Sequence, residues 1–217
     1  MPRITRTIVT LPRPLYKADA AVYVGVDCAP RNSGVCILSK TEARLYGVST
    51  GKLRGTARLL CLHDAVERCL GDGTLGGHID VAAWCIEDGV FDGSPRRFLM
   101  GQAHSAATLA LVEFAPRAAH LVVQNALIKQ FFAGTAGAKK ERMVKQINAD
   151  LDTDFSAERK PDDDLADAYA CALLAYSHTT KDILSPHRRR RAEVIAKIRA
   201  EEAADPWPPP LTFDDDP

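Results

Sequence analysis

No apolar run in this sequence approaches the length of a bilayer span, so nothing in it reads as a membrane anchor. No two of the six cysteines (Cys28, Cys36, Cys61, Cys69, Cys85, Cys171) form a CxxC pair, and none has metal-ligand spacing. Several sit inside apolar runs, where a reduced thiol behaves as a small hydrophobe. The pattern excludes a disulfide framework or zinc site and suits a reducing cytoplasm. Net charge is also missing: 28 Lys and Arg offset 28 Asp and Glu. A neutral sum argues against binding nucleic acid by bulk charge, but the average hides a polarity. Arg188, Arg189, Arg190 and Arg191 form one basic block, whereas Glu202, Asp205, Asp214, Asp215 and Asp216 make the C-terminal end acidic. The sequence shows no internal repeat, no Walker loop and no Ser/His/Asp triad.

What is present describes one domain with extensions. The 217 residues are 46% hydrophobic and 26% charged, ordinary for a globular protein with a sizeable core. The first 18 residues are basic and acid-free, as in transit peptides, but Pro2, Pro12 and Pro14 interrupt any amphipathic helix. Residues 1–20 therefore read as a loose N-terminal arm, with organellar targeting the lesser alternative to the cytoplasm. Residues 21–180 form the domain, and 181–217 a basic helical extension followed by an acidic, proline-rich tail.

Within the domain, β-branched and apolar runs predict strands over 21–27, 33–39 and 43–48 at hairpin-like spacing. Leu59, Leu62, Val66 and Leu70 predict a helix over 53–70. A strand over 81–87 comes after a Gly/Asp-rich loop. Then come a long helix to about 114, a short strand over 120–124, and helices over 139–151, 162–176 and 193–203. Three hairpin strands followed by αβ units imply an α/β fold with a mixed sheet flanked by helices.

Carboxylates recur where these elements could converge. Asp27 ends the first strand and Glu87 the fourth, while Asp164 and Asp167 are spaced i, i+3 on one helix face. A lone Asp at a strand end is usually a turn residue. Asp162 and Asp163 read as helix N-terminal acids that favour the macrodipole. Asp167 lies a turn inside, where capping does not explain it. Four close carboxylates repel one another unless divalent cations neutralise them, and oxygen-only ligands select Mg²⁺ or Mn²⁺. Two such ions serve phosphodiester hydrolysis.

The ordered set resembles the RuvC type of Holliday junction resolvase, within the RNase H-like superfamily, over roughly 22–176. The opening motif appears as GVDCAPRNSG, with Asp27 and Gly34, and the strand-ending I/V-E pair as Ile86–Glu87. Gly101–Gln102–Ala103, the lysine-bearing IKQFFAGTAGAKKERM (Lys129, Gly134, Lys140) and DLADAYACA from Asp164 come next, in family order. Cys28–Ala29 replaces the family's Pro-Gly, and the longer arms suggest a phage-borne or otherwise divergent member.

The resemblance implies a homodimer that nicks four-way DNA junctions symmetrically. It implies Asp27 bridging two Mg²⁺ ions, Glu87 holding one, and Asp167 with Asp164 holding the other. It also implies Lys140 and Lys129 on scissile-strand phosphates, with Lys139 left on a solvated face. Phe91 reads either as a core residue or as an aromatic stacked on a base at the opened junction. Arg188 and Arg189 belong to a basic segment that would follow a junction arm. The tail 205–217 reads as a solubilising segment, with a competing role against DNA or on a protein partner as the alternative. Rival functions stay open: a nuclease acting on forks, flaps or RNA, and an inactive DNA-binding relative. Actin-like ATPases share the first motif but need a two-domain body for which this chain is too short.

Overall fold

From Val22 to Val26 every residue except Gly25 is apolar, and this run becomes a strand buried on both faces (β2, Val22–Asp27). The computed structural model describes residues 2–15, 21–72, 79–88, 95–159, 162–183 and 188–204. β2 pairs antiparallel with β3 (Asn32–Leu38), which pairs antiparallel with β4 (Glu42–Ser49). On its other side β2 pairs parallel with β5 (Val81–Glu87), and β5 pairs parallel with β6 (Ala119–Val123). The three hairpin strands and the parallel αβ strands are those expected.

The remaining strand differs from the expectation. Arg3–Thr10 forms β1, antiparallel to β4 from Arg3↔Ser49 to Thr10↔Glu42, in place of a loose arm. The sheet order is β1-β4-β3-β2-β5-β6. Ile4, Thr5, Thr7, Ile8, Val9 and Thr10 are all β-branched, the residue type that fits a pleated edge. Pro2 and Pro12 flank the strand, so they spare its ladder hydrogen bonds.

Alternation along the strands separates two core layers. Val24, Val26, Val35, Ile37, Trp84 and Ile86 face α1 (Gly55–Leu70) and α2 (Pro95–Phe114). Tyr23, Cys36, Leu38, Ala83 and Cys85 face the other helices: α3 (Asn125–Ala133), α4 (Lys140–Leu151), α5 (Asp162–Thr180) and α6 (Arg188–Ala204). α3 was not among the expected helices, although Leu127, Ile128, Phe131 and Phe132 recur at helical spacing and become its buried face. Gly134 ends it in the left-handed conformation, with φ of 89°.

α6 corrects a second expectation. Its stripe of Val194, Ile195 and Ile198 is buried in the core instead of leaving the helix free to follow DNA. Arg191, expected among the phosphate contacts, is 1% exposed. It pairs with Asp150 at 3.2 Å and lies over the rings of Phe131 and Phe132. All six cysteines are free thiols and buried. Among the described residues no helix is long and apolar enough to cross a membrane.

Candidate active site

β2 and β5 run parallel, so their C-terminal ends reach one edge of the sheet, with Asp27 on one and Glu87 on the other. Side chains alternate along a strand, so Asp27 lies on the same face as Tyr23 and Gly25, and Glu87 on the face of Ala83 and Cys85. That is the face covered by α5.

α5 approaches this face at backbone distance because two glycines permit it. A Cβ at Gly25 would stand 2.1 Å from the Ala168 carbonyl oxygen and 2.2 Å from the Ala172 nitrogen. A Cβ at Gly34 would stand 2.1 Å from the carbonyl oxygen of Asp164. Gly34 is the register partner of Asp27, and directly paired residues of an antiparallel ladder point to the same face. The first turn of α5 is thereby pressed beside Asp27, with Asp164 buried at the contact.

Two lysines and an amide complete the arrangement. Lys140, the first residue of α4, donates its Nζ to Asp163. Asn125, the first residue of α3, donates its Nδ2 to Glu87 Oε2 at 2.6 Å. Lys129 lies one helical turn later, near enough to Glu87 and Asp167 to favour their charged forms. Lys139 is exposed and serves as the N-cap position of α4.

Burial pushes the Glu87 carboxyl above its ordinary range, against the hydrogen bond from Asn125. Asp167 is pushed up to about 7, first by burial, then by Glu87 and Asp163, with Lys129 and Lys140 opposing. Beyond burial, Glu87 and Asp163 oppose the charge on Asp167, and a bound cation would offset that part. The donors are all oxygen, so Asp27, Glu87, Asp164 and Asp167 fit Mg²⁺ or Mn²⁺ in donor type, whereas the described residues whose ligand atoms lie within 4.8 Å of one another are others.

Other predicted residues fall elsewhere. Phe91 and the tail 205–217 lie outside the described residues, as does the side chain of Arg188. Arg189 is 95% exposed and pairs with Glu193 on its own helix. Asp162 supports the preceding loop by accepting hydrogen bonds from the Ser156 backbone and the Arg159 side chain. Asp163, read in the sequence as a terminal acid, is 2% exposed and is the partner of Lys140. Asn125 carries no signal in the sequence because its role appears only when β6 ends beside β5. Another cluster, His63, Glu67 and Glu113, brings its ligand atoms within 4.8 Å of one another on α1 and α2. There the imidazole is shared, Nε2 toward Glu113 and Nδ1 toward Asp64 and Glu67.

Comparison with solved structures identifies the architecture. The Thermus thermophilus RuvC structure is similar at a TM-score of 0.53 and 23% identity, covering 72% of this chain and 92% of that one. T. thermophilus RuvC in complex with Holliday junction substrate is similar at a TM-score of 0.53 and 22% identity, covering 73% and 92%. No protein-family profile matches the sequence, and no curated protein does. The fold is RuvC-like, an α/β arrangement of the RNase H-like kind.

Proposed function

We infer that this protein is a divalent-metal-dependent endonuclease that nicks four-way DNA junctions. The observation that carries this reading is the delivery of Asp164 and Asp167 by α5 to the sheet edge where β2 and β5 end in Asp27 and Glu87. The similar fold of a RuvC solved with a Holliday junction supports the choice of substrate. Two copies of the chain, acting as a homodimer, would place two such sites across a junction and give paired nicks.

Mg²⁺, or Mn²⁺ in its place, would be held by Asp27, Glu87, Asp164 and Asp167. When bound it supplies water activation and neutralises charge at the leaving oxygen. The chain's own residues then position the strand. Lys140 meets the scissile phosphate from the N-terminus of α4, trading its contact with Asp163 for one with a phosphate oxygen. Lys129 adds positive charge from α3 on the opposite side. Asn125 fixes the orientation of Glu87 through one carboxylate oxygen and leaves the other for the metal.

Cleavage of a synthetic four-way junction, a replication fork and a linear duplex, each with Mg²⁺ and with EDTA, tests this reading. Symmetric nicks in the four-way junction alone, dependent on Mg²⁺, are expected. Preferential cutting of the fork would move the substrate to other branched DNA. Binding without cutting in Mg²⁺ or Mn²⁺ would mark an inactive DNA-binding relative.

A further inference from the structure

The mechanism leaves one basic feature unused. Between the end of α3, the outer face of α4 and the start of α6 lies a groove of about 540 Å³, lined in part by Arg142, Lys145, Gln146 and Arg190. Among the described residues, Glu141 is its one acidic lining residue. The nearby Asp150 is already occupied, accepting from Gln146 at 2.8 Å and pairing with Arg191 at 3.2 Å. The groove is therefore electropositive.

One of its cations, Arg190, is held in place before any ligand arrives. Arg190 donates to the Phe132 carbonyl at 3.0 Å. Its guanidinium lies over Gly134, where a Cβ would come within 2.4 Å of Nη1. Arg190 Nε is buried with no hydrogen-bond partner. Arg191 and Arg142 crowd the same guanidinium with like charge. An anion in the groove relieves that crowding. Preorganised, mutually repelling arginines around a groove are the arrangement that phosphate oxygens complement.

We propose that this groove is a second DNA contact, holding backbone phosphates of the junction arm that leaves the nicking site. The proposal rests on the nuclease reading above and names where that arm runs. α4 links the two places, because Lys140 begins it at the acidic site and Lys145 lies about 7.5 Å further along its axis and about 140° round it, so an arm passing both curves over the helix. α6 supplies Arg190, so the helix read in the sequence as a free basic arm acts here as a docked wall.

The test is binding of full-length protein to a labelled four-way junction in EDTA across a salt series, with the wild type's Mg²⁺-dependent nicking measured in parallel. Arg142 and Lys145 are exposed, so the pair Arg142→Ala/Lys145→Ala is expected to fold and to melt with the wild type. Loss of two phosphate contacts should flatten the log–log salt slope by about two and weaken binding at least about tenfold at 0.1 M salt. The charge-conserving pair Arg142→Lys/Lys145→Arg should keep both. A junction whose arms are trimmed to a few base pairs should bind wild type and double-alanine variant alike. If the wild type nicks junctions while the double-alanine variant matches its affinity and slope, the groove is not a DNA contact and the nuclease reading stands. If the wild type neither binds nor nicks any branched DNA, both fall.

Discussion

A carboxyl that burial holds partly protonated costs stability whenever it is charged, and Asp167 is such a group. Its acidity is weakened from an ordinary 3.8 to about 7. Between those values the folded chain keeps a proton that the unfolded chain releases, so stability falls as pH rises through the window. Without metal, Asp167→Asn should therefore raise the melting temperature by several degrees at pH 8, with the gain vanishing near pH 4. Melting curves in EDTA across that range check the sign. The same substitution removes a metal ligand, so nicking should be abolished while junction binding is retained or tightened. Asp27→Asn and Glu87→Gln should do likewise, and near-normal turnover in any of the three would overturn the site. Lys140→Ala should cost on the order of a hundredfold in single-turnover nicking. Lys139→Ala should cost little, because neighbouring positions on a helix point about 100° apart. Equal losses would mean that α4 presents a different face.

At the scale of elements, the site depends on how closely α5 can approach the sheet. Gly34→Ala puts a methyl group into the Asp164 carbonyl, and rigid backbone on both sides leaves only displacement of the helix. Nicking should fall at least as far as in a ligand variant, accompanied by a lower melting temperature. A ligand variant such as Glu87→Gln should not destabilise in this way, and thermal melting beside activity separates the two. The placement of Asp27, Glu87, Asp164 and Asp167 was legible because strand ends and an i, i+3 helix spacing are local signals. Asp163 was not, since a run of three acids looks like a helix start whether or not a lysine from another helix meets it. Asn125 depends on β6 ending beside β5, a contact that no periodicity encodes. β1 was hidden by the prolines around it; α6 was expected as a helix over 193–203, and its arginines hid only its docking. The four-arginine block looks like a solvated face until Asp150, Phe131 and Phe132 surround Arg191.

Across the whole molecule, α6 is a structural member, and truncations should divide accordingly. Removing residues 186–217 exposes the core beneath Val194, Ile195 and Ile198 and takes away Arg191, the partner of Asp150. The truncated chain should therefore melt well below the full chain, beyond any loss of DNA affinity. Removing only 205–217 should leave the melting temperature unchanged and tighten DNA binding at low salt, with the gain lost at high salt. A short truncation that destabilises the chain would overturn the tail's assignment as a separate acidic segment.

The docking of α6 also orders events in time. Synthesis delivers the strands and α3 to α5 first, and domains begin to fold as they emerge, at about 5–20 residues per second. Phe131, Phe132 and Asp150 then wait for Arg191, which is made 41 residues after Asp150. Until it arrives, α3 and α4, which carry Lys129 and Lys140, pack against α5 without the ties that Arg190 and Arg191 make to Phe132 and Asp150. A chain made only as far as α5 therefore holds the acidic edge of the sheet before Asp150 has its arginine partner.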